Sequence, residues 1–454
     1  MLTYELKKAP GVPLYEALYR CIREDILTGR LPAGQKLPSK RALAAHLEVS
    51  TITVETAYSQ LLAEGYLSSR EKVGYFVEAV QLSHRPATAI PVDPAPKATD
   101  APVNLTANAP ANFPFSVWNR LQRQVLQDFG DQLLESVPHQ GVAALRHAIA
   151  GHLCAFRGMQ VDPENIIIGA GTDFLYNLLL QLLGRDRVYV LEEPGYGKIR
   201  RIYQTAGAQT ASAPMDEHGV LPQNLGQKQV LHISPSHHFP TGIVTPMPRR
   251  LALLNWAQES DSWIIEDDYD TEFRFDTHPI RALYSPDHQG RVIYMNSFSK
   301  SLAPSIRMGY MVLPPALMQQ FRQHLGFYSS TVSGFEQHTL ARFIQEGHFE
   351  KHINRMRKFY RARRNHLLEL LQKCPWAADL TIQEADAGLH FLVKVQTQLS
   401  DAELTNFCLQ KGLLVRSLSS YYHDAVPDSA LHSLVINYSG LREQDMDTLA
   451  QLLR

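Results

Sequence analysis

Lys300 stands in the stretch SFSKSLAPSIRMGY, residues 297–310, directly behind the apolar run 291–295 and shortly before Arg307. The C-terminal end of a buried strand in an α/β sheet is where such sheets bind ligands. A partly buried lysine there has a lowered pKa and can form a Schiff base with an aldehyde. Pyridoxal phosphate (PLP) is such an aldehyde. Holding it takes the lysine, an acid at the pyridinium nitrogen, an anion site for the phosphate and an aromatic over the ring.

Candidates for all four supports are present. In IIEDDYDTEF, Asp267 follows an apolar run, and Tyr269 could bond the ring oxygen. GAGTDFLYNLL is a glycine turn into an apolar helix, so backbone N–H groups at Thr172 and Asp173 would face an anion. Ser297, Ser299 and Arg307 could add phosphate donors, the arginine as a planar fork. Tyr196 in EEPGYGKIR sits on a turn suited to stacking. Each has an ordinary alternative: a solvated lysine, a capping aspartate, a turn tyrosine. Their joint placement at strand ends of one sheet favours the cofactor site. His237 and His238 are adjacent, but no third ligand has metal-site spacing, so no metal is expected.

The positioning elements follow from periodicity. Apolar runs at 165–168, 187–191, 230–233, 262–265 and 291–295 alternate with helix-length segments, which predicts a mainly parallel sheet with helices on both faces. From about residue 316, longer helices and short strands predict a smaller α+β subdomain. The expected fold class is thus multi-domain α/β, with a winged helix-turn-helix (residues 1–78), a Pro- and Ala-rich linker (79–102) and a large domain (103–454). At 454 residues, the chain is too long for one compact core. Lys+Arg (44) and Asp+Glu (45) nearly cancel, so a nucleic-acid partner would need a local patch. Cys21, Cys154, Cys374 and Cys408 lie far apart, and no signal or membrane-spanning run is seen. Both point to a reduced, cytoplasmic setting.

The N-terminal segment reads as helices. Leu14, Leu18, Ile22 and Ile26 form one stripe, Ser39 caps a second helix, and Ser50 caps a third with Val54, Ala57, Tyr58, Leu61 and Leu62 on one face. Two short strands then make a wing. The third helix would enter the major groove, offering Thr51, Thr53, Thr56, Ser59 and Gln60. Lys36, Lys40 and Arg41 flank the second helix, and Arg70 and Lys72 sit at the wing, all placed for phosphates. Ser39, Ser50 and Tyr58 complete the DNA-binding set, although Tyr58 also falls on the apolar face. The alternative is a small helical dimerisation domain, since residues 1–78 carry 10 Lys+Arg against 9 Asp+Glu.

The motif G-x-x-L-P-S-x-R-x-L-A followed by V-S-x-x-T-V makes residues 13–77 resemble the winged helix of GntR-type regulators. The S-x-S-K…R arrangement, the acidic-Tyr motif and the PGY turn make residues 103–454 resemble a fold-type-I aminotransferase. The fusion is similar to the MocR/GabR class of bacterial regulators. The resemblance implies PLP on Lys300, Asp267 at the ring nitrogen, Tyr269 at the ring oxygen, Tyr196 stacked, and Thr172, Asp173, Ser297, Ser299 and Arg307 on the phosphate. It also implies a double-stranded DNA operator and a head-to-tail homodimer. Thr51 and Glu55 replace frequently basic helix positions, and Phe239 in SPSHHFPTG stands where aminotransferases carry Asn. Val435 takes the place of the arginine that grips a substrate carboxylate; Lys198 or Arg416 could substitute. Three functions stay open: a PLP-dependent regulator with an amine or amino-acid effector, a PLP sensor without a second effector, and a working aminotransferase carrying a winged helix.

Overall fold

A computed structural model describes residues 2–4, 13–70, 73–79, 102–107, 112–275, 280–384 and 388–453. The chain divides into two compact units, Met1–Lys97 and Ala98–Arg454.

The first unit holds α1 (Leu14–Leu27), α2 (Lys40–His46) and α3 (Thr51–Ala63), then β1 (Leu67–Arg70) paired antiparallel with β2 (Gly74–Val77). Leu18, Ile22 and Ile26 of α1 bury against Val54, Ala57 and Leu61 of α3, as the 3.6-residue periodicity requires. The cap serines accept from backbone N–H groups three residues on, Ser39 from Ala42 (3.2 Å) and Ser50 from Thr53 (3.1 Å). This is a winged helix-turn-helix.

The second unit opens with β3 (Val103–Asn104), α4 (Phe115–Phe129) and α5 (Ala143–Arg157). Its main sheet contains β4 (Ile166–Gly169), β5 (Val188–Glu193), β6 (Gln209–Asp216), β7 (Gly219–Val220), β8 (Gln229–Ile233), β9 (Trp263–Asp267), β10 (Val292–Ser297) and β11 (Gly309–Val312). Helix α6 (Thr172–Leu183) follows β4, α7 (Gly197–Thr205) follows β5, α8 (Met247–Glu259) precedes β9, and the single turn α9 (Phe298–Ser301) follows β10. The strand order is β4-β11-β10-β9-β8-β5-β6-β7; β6-β5-β8-β9-β10 run parallel, while β11 is antiparallel to both its neighbours. Wholly buried strands such as β4 and β10 are covered on both faces, which is why they read as continuous apolar runs.

All five expected strands are present. β6 and β11 went unread because QTASAPMD is small and polar and GYMV is short. Beyond residue 314 come helices Pro315–His324, Gly334–Gln345 and His348–Lys373, then a four-stranded antiparallel sheet of β12 (Leu380–Gln383), β13 (His390–Val395), β15 (Arg416–Ser417) and β16 (Ser433–Asn437). The short β14 (Leu413–Leu414) pairs with β3. Among the described residues no helix is long and apolar enough to cross a membrane.

Candidate functional site

The sheet gathers the candidate residues at the C-terminal ends of its parallel strands. Lys300 lies in the α9 turn at the end of β10, and burial pushes its ammonium down to about 8 while the Asp270 carboxylate opposes the shift. Asp267 ends β9, in register with Met295 of β10. Tyr176 of α6 donates to its Oδ2, and His232 Nε2 lies 3.4 Å from the same oxygen. Its Oδ1 is buried and has no hydrogen-bond partner among the described residues. A buried acceptor left unpaired is costly unless a donor arrives, and a protonated ring nitrogen is such a donor. Nearby Glu192 is raised to about 8 by burial, so at neutral pH it adds little second negative charge.

The candidate anion site lies at the start of α6. Gly171 has φ +81°, and a Cβ there would stand 2.8 Å from the Arg307 guanidinium, so glycine permits the approach. Thr172 and Asp173 begin the helix with their N–H groups at its positive end. The Asp173 carboxylate holds Arg307 (3.3 Å) and Lys198 (2.7 Å). Asp173 thus offers its backbone N–H at the helix start, while its carboxylate is paired with the two cations. Lys198, the candidate spare carboxylate cation, is thus paired with Asp173 at a partly exposed position, as Arg307 is. Ser297 ends β10 and Ser299 precedes Lys300, so both border the same turn.

Tyr269 places its hydroxyl 3.3 Å from His237 Nδ1. Tyr196 is half exposed at the start of α7, its ring edge-on to Phe239 at 5.9 Å. Phe239 also meets His390 (5.0 Å) and Tyr421 (5.2 Å). Val435 is buried with Leu392, Leu418 and Ala430 against Phe239. Exposed Arg416 pairs in register with Val435 and so shares its face of the small sheet.

One cluster was invisible to spacing. His237, Asp270 and His390, all buried, offer ligand atoms within 4.8 Å of one another. His237 Nδ1 lies 3.0 Å from Asp270 Oδ2, and the two histidine rings are 4.8 Å apart. Gly388, at φ +71°, makes room, because a Cβ there would fall 1.9 Å from the His237 ring. The third partner comes from a strand over 150 residues further along the chain than His237, so local spacing had no access to it.

In the first unit, Thr51, Thr56, Ser59, Arg41, Lys36 and Arg70 are exposed. Thr53 is half-buried and hydrogen bonded to the Ser50 cap at 2.8 Å. Gln60, also half-buried, donates to Glu64. Lys40 is paired with Glu55 at 2.5 Å. Tyr58 requires correction: it is 1% exposed and donates its hydroxyl to the Pro38 carbonyl at 3.0 Å, so it ties α3 to the α2 entry instead of facing DNA. Lys72 lies outside the described residues. Ile52, 73% exposed on α3, was not singled out because an isoleucine in a helix is expected inside.

Fold and site thus define a winged helix-turn-helix joined to an aminotransferase-type domain. Family models agree: residues 14–77 match bacterial regulatory proteins of the gntR family, and residues 100–453 match aminotransferase class I and II. The HTH-type transcriptional regulator YhdI of Bacillus subtilis is 37% identical across 100% of this chain and 97% of its own length. The probable rhizopine catabolism regulatory protein MocR of Rhizobium meliloti is 32% identical over 97% of this chain and 93% of its own. Kynurenine aminotransferase of Pyrococcus horikoshii superposes with a TM-score of 0.66 at 24% identity, covering 78% of this chain and 90% of that one, which establishes the fold. The chain belongs to the MocR-type transcriptional regulators, in which a gntR-type domain is fused to a class I and II aminotransferase domain. Membership implies DNA as a partner of the first unit and PLP as the cofactor of the second.

Proposed function

We propose that residues 103–454 form a PLP-binding effector domain whose ligand state sets how the winged helix of residues 1–78 engages a DNA operator, with 79–102 as the linker. The observation that carries this reading is the pairing of a Lys300 amine lowered to about 8 with the unpartnered, buried Oδ1 of Asp267. PLP supplies an aldehyde for amines and a ring that draws electrons. Lys300 attaches it, and Asp267 Oδ1 accepts from its ring nitrogen. The α6 N–H groups of Thr172 and Asp173, with Ser297, Ser299 and Arg307, hold its phosphate. Tyr269 bonds its ring oxygen and Tyr196 covers its face. The protein works in the cytoplasm as a head-to-tail homodimer, because a two-fold operator needs two winged helices. A small amine or amino acid acts as effector only through its differential affinity for two arrangements.

Val435 gives the runner-up reading its support. An apolar side chain buried where aminotransferases carry a carboxylate clamp speaks against efficient amino-acid turnover and for PLP itself as the signal. The deciding experiment records visible absorption of the purified protein with PLP, beside Lys300→Ala, before and after a panel of amines and amino acids, and binding to its own promoter region in each state. A cofactor band lost in the variant, a further change with one amine, and DNA affinity that follows that change would support the regulator with an effector. A band with no amine response, and PLP-dependent DNA affinity, would favour the sensor. DNA affinity indifferent to every ligand would overturn both.

A further inference from the structure

Helix α3 brings no cation of its own to its reading face. The helix Thr51–Ala63 contains no lysine or arginine. Its solvent side presents Thr51, Ile52, Glu55, Thr56 and Ser59. Bidentate recognition of guanine needs an arginine or lysine, and that of adenine an asparagine or glutamine. Gln60 is the one amide on α3, half-buried and donating to Glu64 at 3.2 Å. Glu55 could accept from cytosine, but its carboxylate is held by Lys40 at 2.5 Å. Thr56 donates its hydroxyl back to the Ile52 carbonyl at 2.9 Å.

The largest group left is Ile52 itself. It is the second residue of α3, in the turn that meets base edges when a recognition helix enters the major groove. It is 73% exposed, whereas Val54, Ala57, Tyr58 and Leu61 of the same helix are buried. The methyl group of thymine is the apolar feature of the major groove. Exposed Arg41 of α2 and Arg70 at the wing stand on flanking elements, placed for phosphates.

We infer that Ile52 reads a thymine methyl, so that the operator carries a thymine opposite the N-terminal turn of α3 and this contact replaces arginine–guanine readout. The inference rests on the DNA-binding reading of the first unit. The test takes full-length protein, selects bound duplexes from a randomised pool, and then replaces each thymine of the selected sequence by deoxyuridine, which removes only the methyl. At one position wild type should lose about fourfold in affinity, the effect of one buried methyl-sized group. Ile52→Ala, with unchanged circular dichroism because the side chain is exposed, should bind more weakly and be indifferent to that replacement. Wild type indifferent to every replacement, or Ile52→Ala retaining the same discrimination, would overturn the inference and leave DNA binding standing. A pool that yields no enriched sequence would overturn DNA binding and the inference together.

Discussion

The two units present their chemistry in opposite ways. On α3 the polar groups are largely satisfied within the module: Ser50 caps the helix, Lys40 holds Glu55 and Thr56 bonds back to Ile52. What it leaves unsatisfied is an exposed isoleucine. Around Lys300 the apolar groups are satisfied and polar atoms are left over: Asp267 Oδ1, His237 Nε2 and His390 Nε2 are buried with no hydrogen-bond partner among the described residues. A surface that docks on a hydrated groove gains by covering apolar area, whereas an enclosed small-molecule site gains by supplying partners for buried polar atoms. The unmet need of each region thus identifies its ligand class.

The sharpest break of this contrast is Lys300→Ala. The visible band of bound PLP should vanish entirely, while the far-ultraviolet circular dichroism of the full-length variant should match wild type. Next is Asp267→Asn. A hydrogen bond to a charged group contributes about 1.5–3 kcal/mol, so PLP retention measured by dialysis should weaken by roughly 10- to 150-fold. If the asparagine variant held PLP as tightly as wild type, the unpaired Oδ1 would not be the ring-nitrogen acceptor.

Much of the fold was legible because both-face burial writes strands as apolar runs and because serine caps mark helix starts. Lys300, Asp267 and the α6 glycine turn were legible for a related reason: each directly follows such a run. Tyr58 was misread because its hydroxyl suggested a DNA contact although its position lay on the apolar stripe; burial decided in favour of the stripe. Asp173 was read as a phosphate ligand by position alone, and its ion pairs with Arg307 and Lys198 depend on tertiary approach. The His237–Asp270–His390 cluster joins three separate chain segments, with Gly388 admitting the ring, and no local pattern encodes that meeting.

The surroundings of Lys300 also predict a pH effect. Attachment of PLP requires the neutral Lys300 amine, whose pKa lies near 8, so the capture rate should rise with pH up to about 8 and then level off. Asp270 stabilises the ammonium, and removing its charge lowers the pKa further. Asp270→Asn should therefore shift the capture profile to lower pH and quicken capture at pH 7, by about fivefold if the shift reaches a full unit. A profile that moved upward, or stayed in place, would remove Asp270 from the electrostatics of Lys300.

The smallest effect is expected where the polar groups are already satisfied. Ser50→Ala deletes the acceptor for the Thr53 N–H and the partner of the Thr53 hydroxyl. Water can reach both at this exposed helix start, so the loss should be about 1 kcal/mol, seen as a lower unfolding midpoint of the first unit. PLP binding, read by absorption, should not change. A cap loss well above 2 kcal/mol would mean that the start of α3 depends on Ser50 for more than its cap. Ile52, two residues on, would then need a rigid turn to meet its base, and Ser50→Ala should also erase the discrimination between thymine and deoxyuridine. A loss near 1 kcal/mol with discrimination intact would assign the contact to the isoleucine side chain alone.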